Sequence, residues 1–239
     1  MRESGRAWIL VFLAACTLPF TPPAARAQQG DEATLIQGVD AAVHQRVDAI
    51  QGYTVVEHYS FFRGEAPTKP DAEMTVKTTY SRASGKSYNI LSETGSSIIR
   101  NMVFTPLLEN EKQINLPANR EASWITSQNY EMKLKPGVEQ RDGRTCLVLS
   151  ISPRRKASNL IEGTLWVDAK DDSIVRVEGT ASKSVSVFTG PAQMMRAYTN
   201  VDGFAMATQA RAVSNSFLFG KSTMTIEYKD YLIQRGSTP

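Results

Sequence analysis

The chain predicts a mainly β fold (α+β): a strongly curved antiparallel sheet or barrel with an N-terminal helix and a helical insert. Three observations carry this prediction. Short runs of period-two alternation recur from Tyr53 onward, bounded by Gly, Pro, Asp and Ser turn signals. Two stretches, one near the N-terminus and one between early strands, instead carry apolar residues at helical spacing. No internal repeat, low-complexity tract or Pro/Ser-rich linker interrupts the 239 residues, so one domain over residues 28–239 is expected. A hydrophobic content of 41% is enough for a sizeable core.

Residues 1–27 read as a leader. Arg2 and Arg6 supply a positive start, residues 8–18 form an apolar core too short to span a bilayer, and Ala25-Arg26-Ala27 fits a small-x-small cleavage site. Leu13-Ala14-Ala15-Cys16 also fits a lipobox, in which Cys16 is lipidated and becomes the mature N-terminus. The first reading leaves the protein free in the periplasm, and the second tethers it to a membrane. Removing residues 1–27 takes away Arg2, Arg6, Arg26 and Glu3, so the net charge falls from +3 to +1. No basic face is concentrated enough for nucleic acid, and Arg154-Arg155-Lys156 reads as a solvated turn.

Residues 31–50 predict a helix, with Leu35, Val39, Ala42, Val43, Val47 and Ile50 at helical spacing and Gly52 as its stop. Residues 53–62 switch to period two, and Met74, Val76, Thr78 and Tyr80 continue it after the break at residues 64–70. Ser84-Gly85-Lys86 turns the chain into a strand at residues 88–91. Ser96-Ser97 caps a helix carrying Ile98, Ile99, Met102 and Val103, which Pro106, with Thr105 as a cap, restarts or kinks before Leu107 and Leu108. From Asn129 to the end the chain alternates strands with turns at Pro136-Gly137, Asp142-Gly143, residues 170–173, Gly190-Pro191 and Asp202-Gly203. The clearest hairpin is residues 163–179, where Leu165, Val167, Val175 and Val177 are assigned to one dry face.

Catalytic signatures are missing. His44 and His58 have no ligand-type neighbours at zinc spacing, and neither a nucleophile elbow, a phosphate loop nor a dinucleotide fingerprint occurs. Asp168, Asp171 and Asp172 surround a turn, where acids serve as caps. Glu227 and Asp230, three apart on a strand, are expected on opposite faces. Cys146, the one thiol outside the leader, sits in a strand-like run and reads as a small buried hydrophobe.

Residues 163–179 (GTLWVDAKDDSIVRVEG), with 224–231 (MTIEYKDY), 129–134 (NYEMKL), 142–156 (DGRTCLVLSISPRRK) and the helix before Tyr53, resemble exported bacterial outer-membrane lipoprotein-sorting proteins. This is the superfamily of the LolA and LolB carriers, with LppX and RseB as relatives. The resemblance covers most of the chain after the leader and rests on strand and turn signatures. It implies an incomplete, strongly curved antiparallel β-barrel capped by the N-terminal helix and the helical insert, a half-barrel that holds lipid acyl chains or a lipoprotein beneath a helical lid, without a cofactor and without catalysis. A membrane or membrane-protein partner is implied as well; the alternative is an RseB-like envelope sensor that binds a protein. Strand parity nominates Met74, Val76, Ile90, Leu165, Val167, Val175, Val177, Met224 and Ile226 as the lipid-facing set, with Ile98, Met102, Val103, Leu107 and Leu108 from the lid. The same residues would serve equally as a dry core.

Overall fold

The computed structural model describes residues 23–65, 68–183, 192–216 and 218–236, with side chains described from Asp31 onward. Helix α1 (Pro23–Ala49) leads into β1 (Ile50–Arg63), β2 (Ala72–Ser81) and β3 (Gly85–Gly95). A helical insert follows, made of α2 (Ser97–Ile99), a π turn (Arg100–Phe104) and α3 (Thr105–Ile114). After a 3-10 turn (Arg120–Ser123) come β4 (Tyr130–Arg141), β5 (Arg144–Pro153), β6 (Ile161–Asp168), β7 (Ile174–Ala181), β8 (Gln193–Val201), β9 (Phe204–Ser216) and β10 (Gly220–Arg235).

All ten strands form one antiparallel sheet in the order β3-β2-β1-β10-β9-β8-β7-β6-β5-β4. Only β1 pairing with β10 departs from a simple meander, and the two ends of the sheet, β3 and β4, do not meet. The expected open, curved antiparallel sheet with helical caps is therefore what the chain adopts. Asp142-Gly143 and Asp202-Gly203 make the expected two-residue turns, with positive φ at both positions of each. Gly163 and Gly179 face each other across β6 and β7, and a Cβ on either would come within 2.1 Å of a carbonyl oxygen of the other strand. Glycine is required there for the strands to lie this close.

The inner face of the sheet carries both helical covers. Helix α1 places Leu35, Val39 and Val43 against Tyr130, Met132, Leu149, Leu165, Val167 and Val177 of β4 to β7. Its polar side pins the neighbouring edge: Glu32 accepts a hydrogen bond from the Leu134 N–H at 2.7 Å, and Asp40 accepts one from Ser127 N–H at 2.8 Å. The insert places Ile99, Phe104 and Leu108 against Tyr59, Phe61, Met74, Val76 and Ile226 of β1, β2 and β10. On the outer face, Cys146, Val148, Trp166 and Val175 form a separate cluster. The Trp166 indole N–H donates to Glu139 at 2.8 Å, and Arg141 lies 4.4 Å from its ring.

Several sequence expectations change. Helix α1 begins at Pro23 and not at Asp31, and hands over to β1 at Ile50. Pro136-Gly137 is a bulge inside β4, because pairing with β5 resumes at Val138. Val175 lies on the outer face, contrary to its assignment beside Val177. Val167 pairs with Ile174 and Trp166 with Arg176, so the extra residue at Val175 flips its side chain. Ser96 is the helix cap as expected, accepting from Ile99 N–H at 3.4 Å. Thr105 is not a cap: its N–H and hydroxyl both donate to the Arg100 carbonyl, five residues back, widening one turn into a π turn just before Pro106. Pro106 has no N–H to give the Met102 carbonyl, which removes the α-helical alternative at that turn. The leader core, Cys16 and Gly190-Pro191 lie outside the described residues.

Candidate functional site

The two helical covers divide the residues that sequence parity nominated. Met74, Val76 and Ile226 are buried under the insert by its own Leu108, with Val103, Leu107 and Met224 half-buried beside them. Leu165, Val167 and Val177 are buried under α1. Ile90 shares the register of Val76 but lies on the edge strand, and it, Ile98 and Met102 each expose half or more of their surface, at 50%, 61% and 54%. Apart from Val175 in the outer cluster, the nominated set is thus two cores and an exposed rim. In contrast, the ground between the two covers is polar and aromatic.

That middle ground is built by β1, β3, β8, β10 and α3. On β8, Arg196 shares the inner face with Met194 and Tyr198, opposite Ala210 and Ala212 of β9. On β1, Glu57 shares it with Tyr53, Val55 and Tyr59, opposite Tyr228 of β10. Asp230, at φ 56°, inserts a residue into β10, which brings Tyr231 back to the same side as Tyr228 and within 5.8 Å of the Tyr53 ring. Tyr80 of β2 stacks on Tyr53 at 5.0 Å.

The ionic bonds here are specific. Lys86 of β3 pairs with Glu111 of α3 at 2.9 Å, with only 12% and 18% of the two side chains exposed. Glu111 also accepts from the Asn115 amide at 3.3 Å. Glu57, fully buried, accepts from the Tyr59 hydroxyl. Arg46, at the C-terminal end of α1, donates to the Ala205 carbonyl at 3.3 Å. Among the described residues no carboxylate lies within ion-pair distance of Arg196. Its surroundings still register as electrostatic. Burial works against its charge, yet the Tyr228 and Tyr198 hydroxyls and Glu111 together hold its pKa above the ordinary guanidinium value. Burial pushes Tyr88 and Tyr228 up, out of reach of ionisation at any physiological pH. Glu111 feels burial, which raises its pKa, and the Lys86 and Arg196 charges, which lower it; the charges win. One carboxylate in the field of cations from β3, the edge strand, and β8, the sixth strand from that edge, reflects how far the sheet curls round α3.

Other candidate groups resolve into structural roles. The His58 ring bridges Thr75 at 3.0 Å and Glu73 at 3.2 Å on the outer face, and His44 packs edge-on to Trp124 at 5.4 Å. Asp168 and Asp171 accept from the Lys170 and Ser173 N–H groups at 2.9 and 3.1 Å, as turn caps. Among the described residues no group of three or more His, Cys, Asp or Glu is placed to hold a metal. Arg154 donates to the Ser127 carbonyl at 3.0 Å and Arg155 to that of Ala122, tying the turn to the preceding loop. Cys146 is fully buried, and burial with the nearby Asp168 charge pushes its thiol pKa up. No helix among the described residues is long and apolar enough to cross a membrane.

Parity alone missed Arg196, Glu57, Lys86 and Glu111. A signal was present in two cases: Arg196 alternates in phase with Met194 and Tyr198, and Glu57 in phase with Val55 and Tyr59. A charge in an otherwise inward-facing phase marks a polar interior.

No protein-family model matches the chain, and no curated protein matches it. Among solved structures it is similar to a LolA superfamily protein, NE2245, from Nitrosomonas europaea, at 12% identity over 87% of this chain and 94% of that one, with a TM-score of 0.44. It is also similar to a DUF1329 family protein from Desulfovibrio piger, at 18% identity over 85% and 95%, with a TM-score of 0.42. An outer membrane lipoprotein-sorting protein domain from Vibrio parahaemolyticus aligns at 11% identity over 87% and 94%, with a TM-score of 0.47. Likeness at this level decides nothing about function.

Proposed function

We propose that this chain is an exported, non-catalytic carrier of the bacterial cell envelope that binds lipid acyl chains, free or on a lipoprotein, against the inner face of its open sheet. The observation that carries the reading is the way that face is covered. Between β3 and β4 the insert is a short helical run broken by a π turn, and it buries only Ile99, Phe104 and Leu108 into the sheet while leaving Ile98 and Met102 in solvent. An apolar face covered by a few side chains on a detachable segment is one that an acyl chain can take over, since hydrocarbon replaces hydrocarbon.

The energetics suit a carrier. Each methylene removed from water contributes about 0.8 kcal/mol, so a chain of about fourteen methylenes gains about 11 kcal/mol, enough to offset displacement of three side chains. The lipid-facing residues in this reading are Met74, Val76, Met224 and Ile226 of the sheet with Val103, Leu107 and Leu108 of the insert. Leu165, Val167 and Val177 extend the surface beneath α1, and Ile90, Ile98 and Met102 form its rim. Val175, on the outer face, has no part in it.

Native mass spectrometry of the full chain expressed in a Gram-negative host, with extraction and identification of bound lipid, tests this. A mature start at Gln28 with co-purified phospholipid or acylated peptide is the expected result. A diacylglyceryl group on Cys16 places the same carrier on a membrane. Bare polypeptide that also fails to take up added lipid overturns the reading.

A further inference from the structure

We infer that the inner face holds a headgroup site, centred on Arg196, for the anionic group of an amphiphile, a carboxylate or a phosphate. The inference rests on the carrier reading above and adds to it a chemical class of ligand. Arg196 sits midway between the two apolar cores, with Met194 and Tyr198 of its own strand packed on the α1 side and Ala210 of β9 and Tyr228 of β10 packed on the insert side.

Of the cations around this face, Arg82 and Arg120 donate to backbone carbonyls, which leaves Lys86, Arg46 and Arg196 to account for. Lys86, Arg46 and Arg196 meet two carboxylates, Glu57 and Glu111. Glu111 is taken by Lys86 and Asn115, and Glu57 by the Tyr59 hydroxyl. Arg46 is satisfied at a backbone carbonyl. Arg196 alone has only tyrosine hydroxyls around it and the already-paired Glu111 beyond, and it keeps a partly accessible side chain. A largely enclosed guanidinium with free donors favours a bidentate oxyanion. Two further groups on the same face lack partners: the Tyr88 hydroxyl and Thr78 Oγ1, buried opposite each other on β3 and β2, make no hydrogen bond with protein. A polar head entering between the covers therefore meets a cation in surplus on β8, with the unsatisfied hydroxyls further along the face on β2 and β3, while its chain lies on the apolar face alongside.

The test is displacement of cis-parinaric acid fluorescence from the full chain, run in parallel with cis-parinaric acid methyl ester, dihexanoyl phosphatidylglycerol and dihexanoyl phosphatidylcholine. The acid is expected to bind wild type about 10- to 100-fold more tightly than its ester, the value of one charge-assisted bidentate contact. Arg196→Met is expected to remove that preference and leave ester binding unchanged, with Arg196→Lys in between. Weaker binding of both phospholipids, which share the phosphodiester, in the same variant assigns the site to phosphate, and loss confined to the acid assigns it to carboxylate. Equal binding of acid and ester by wild type overturns the headgroup site and leaves the carrier standing, and this comparison needs no variant to fold. Failure of wild type to bind any of the four overturns the carrier reading itself.

Discussion

Truncating Phe104 to alanine separates a cover that opens from a helix that belongs to the core. Phe104 is fully buried, packs against Tyr59 with ring centres 6.0 Å apart, and sits in the π turn that joins α2 to α3. Removing its ring costs about 3–5 kcal/mol. Opening the insert exposes Ile99 and Leu108 with it, but also frees the backbone of about sixteen residues at about 1–2 kcal/mol each, so the insert's own opening free energy is expected to lie below that cost. In Phe104→Ala the insert is then predominantly open, because each 1.36 kcal/mol is a factor of about ten in the opening constant. The strands beneath lose only as much stability as the insert had to give. Native-state hydrogen exchange followed by mass spectrometry reads this directly. Peptides covering residues 99–114 are expected to exchange at close to unprotected rates in the variant, while those covering residues 56–62 and 74–79 stay protected. The melting temperature falls by less than the roughly 6–20 °C that a fully global loss of 3–5 kcal/mol would give a chain of this size. If the insert and the strands keep equal protection in Phe104→Ala and the melting temperature falls by that full amount, the insert is core and the inner face is not available to a lipid.

Three further outcomes follow from the same geometry. Gly179→Ala drives a methyl to within 2.1 Å of the Glu162 carbonyl, so it should destabilise by about 2–4 kcal/mol in urea unfolding, whereas Gly137→Ala, where a Cβ meets nothing, should cost only the strain of its positive φ. Burial raises the Glu111 pKa and the charges of Lys86 and Arg196 lower it further than that, so Glu111 contributes stability at pH above about 4.5 that is lost as pH falls through its depressed folded value. Thermal melts from pH 7 to 3 should therefore fall less steeply below pH 4.5 in Glu111→Gln than in wild type, and identical slopes would remove Lys86–Glu111 as a stabilising pair. Cys146 should resist iodoacetamide at pH 8 in the folded chain and label fully in denaturant, as located by peptide mapping; rapid native labelling would contradict its burial on the outer face.

How much of this was legible in the sequence depended on whether a local rule or a single irregular residue set the outcome. Period two and Asp-Gly turns placed the strands, and the stripe Leu35, Val39, Val43 placed α1 on the sheet, because each is a repeated signal that tertiary packing reinforces. Parity failed where one residue was inserted. Val175 went to the wrong face because nothing in Ile174-Val175-Arg176 distinguishes a bulge from straight strand, both being apolar beside a charge. Tyr228 and Tyr231 are three apart, and parity separates them, yet Asp230 in the left-handed region reunites them; an Asp flanked by Lys and Tyr in a long strand was the available cue. The approach of Arg196 on β8 to Glu111 on α3 has no sequence-local signature at all, since it depends on how far the sheet turns between β3 and β8.

Those same irregularities give the inner face its chemistry. A strictly alternating sheet of this composition would be dry from end to end and would grip any hydrocarbon without regard to its head. By turning Tyr231 inward beside Tyr228 and by spending the phase of Met194 and Tyr198 on Arg196, the chain sets a polar and aromatic strip between the two apolar covers. A cation in such a strip is costly to keep without a carboxylate beside it, and the tyrosine hydroxyls offset only part of that cost. Arg196→Met should therefore leave the unliganded chain as stable as wild type or more so by urea unfolding, while abolishing the preference for anionic amphiphiles. Destabilisation of Arg196→Met by about 3 kcal/mol or more would instead mark Arg196 as a structural charge serving Glu111, and a site held for the fold's sake.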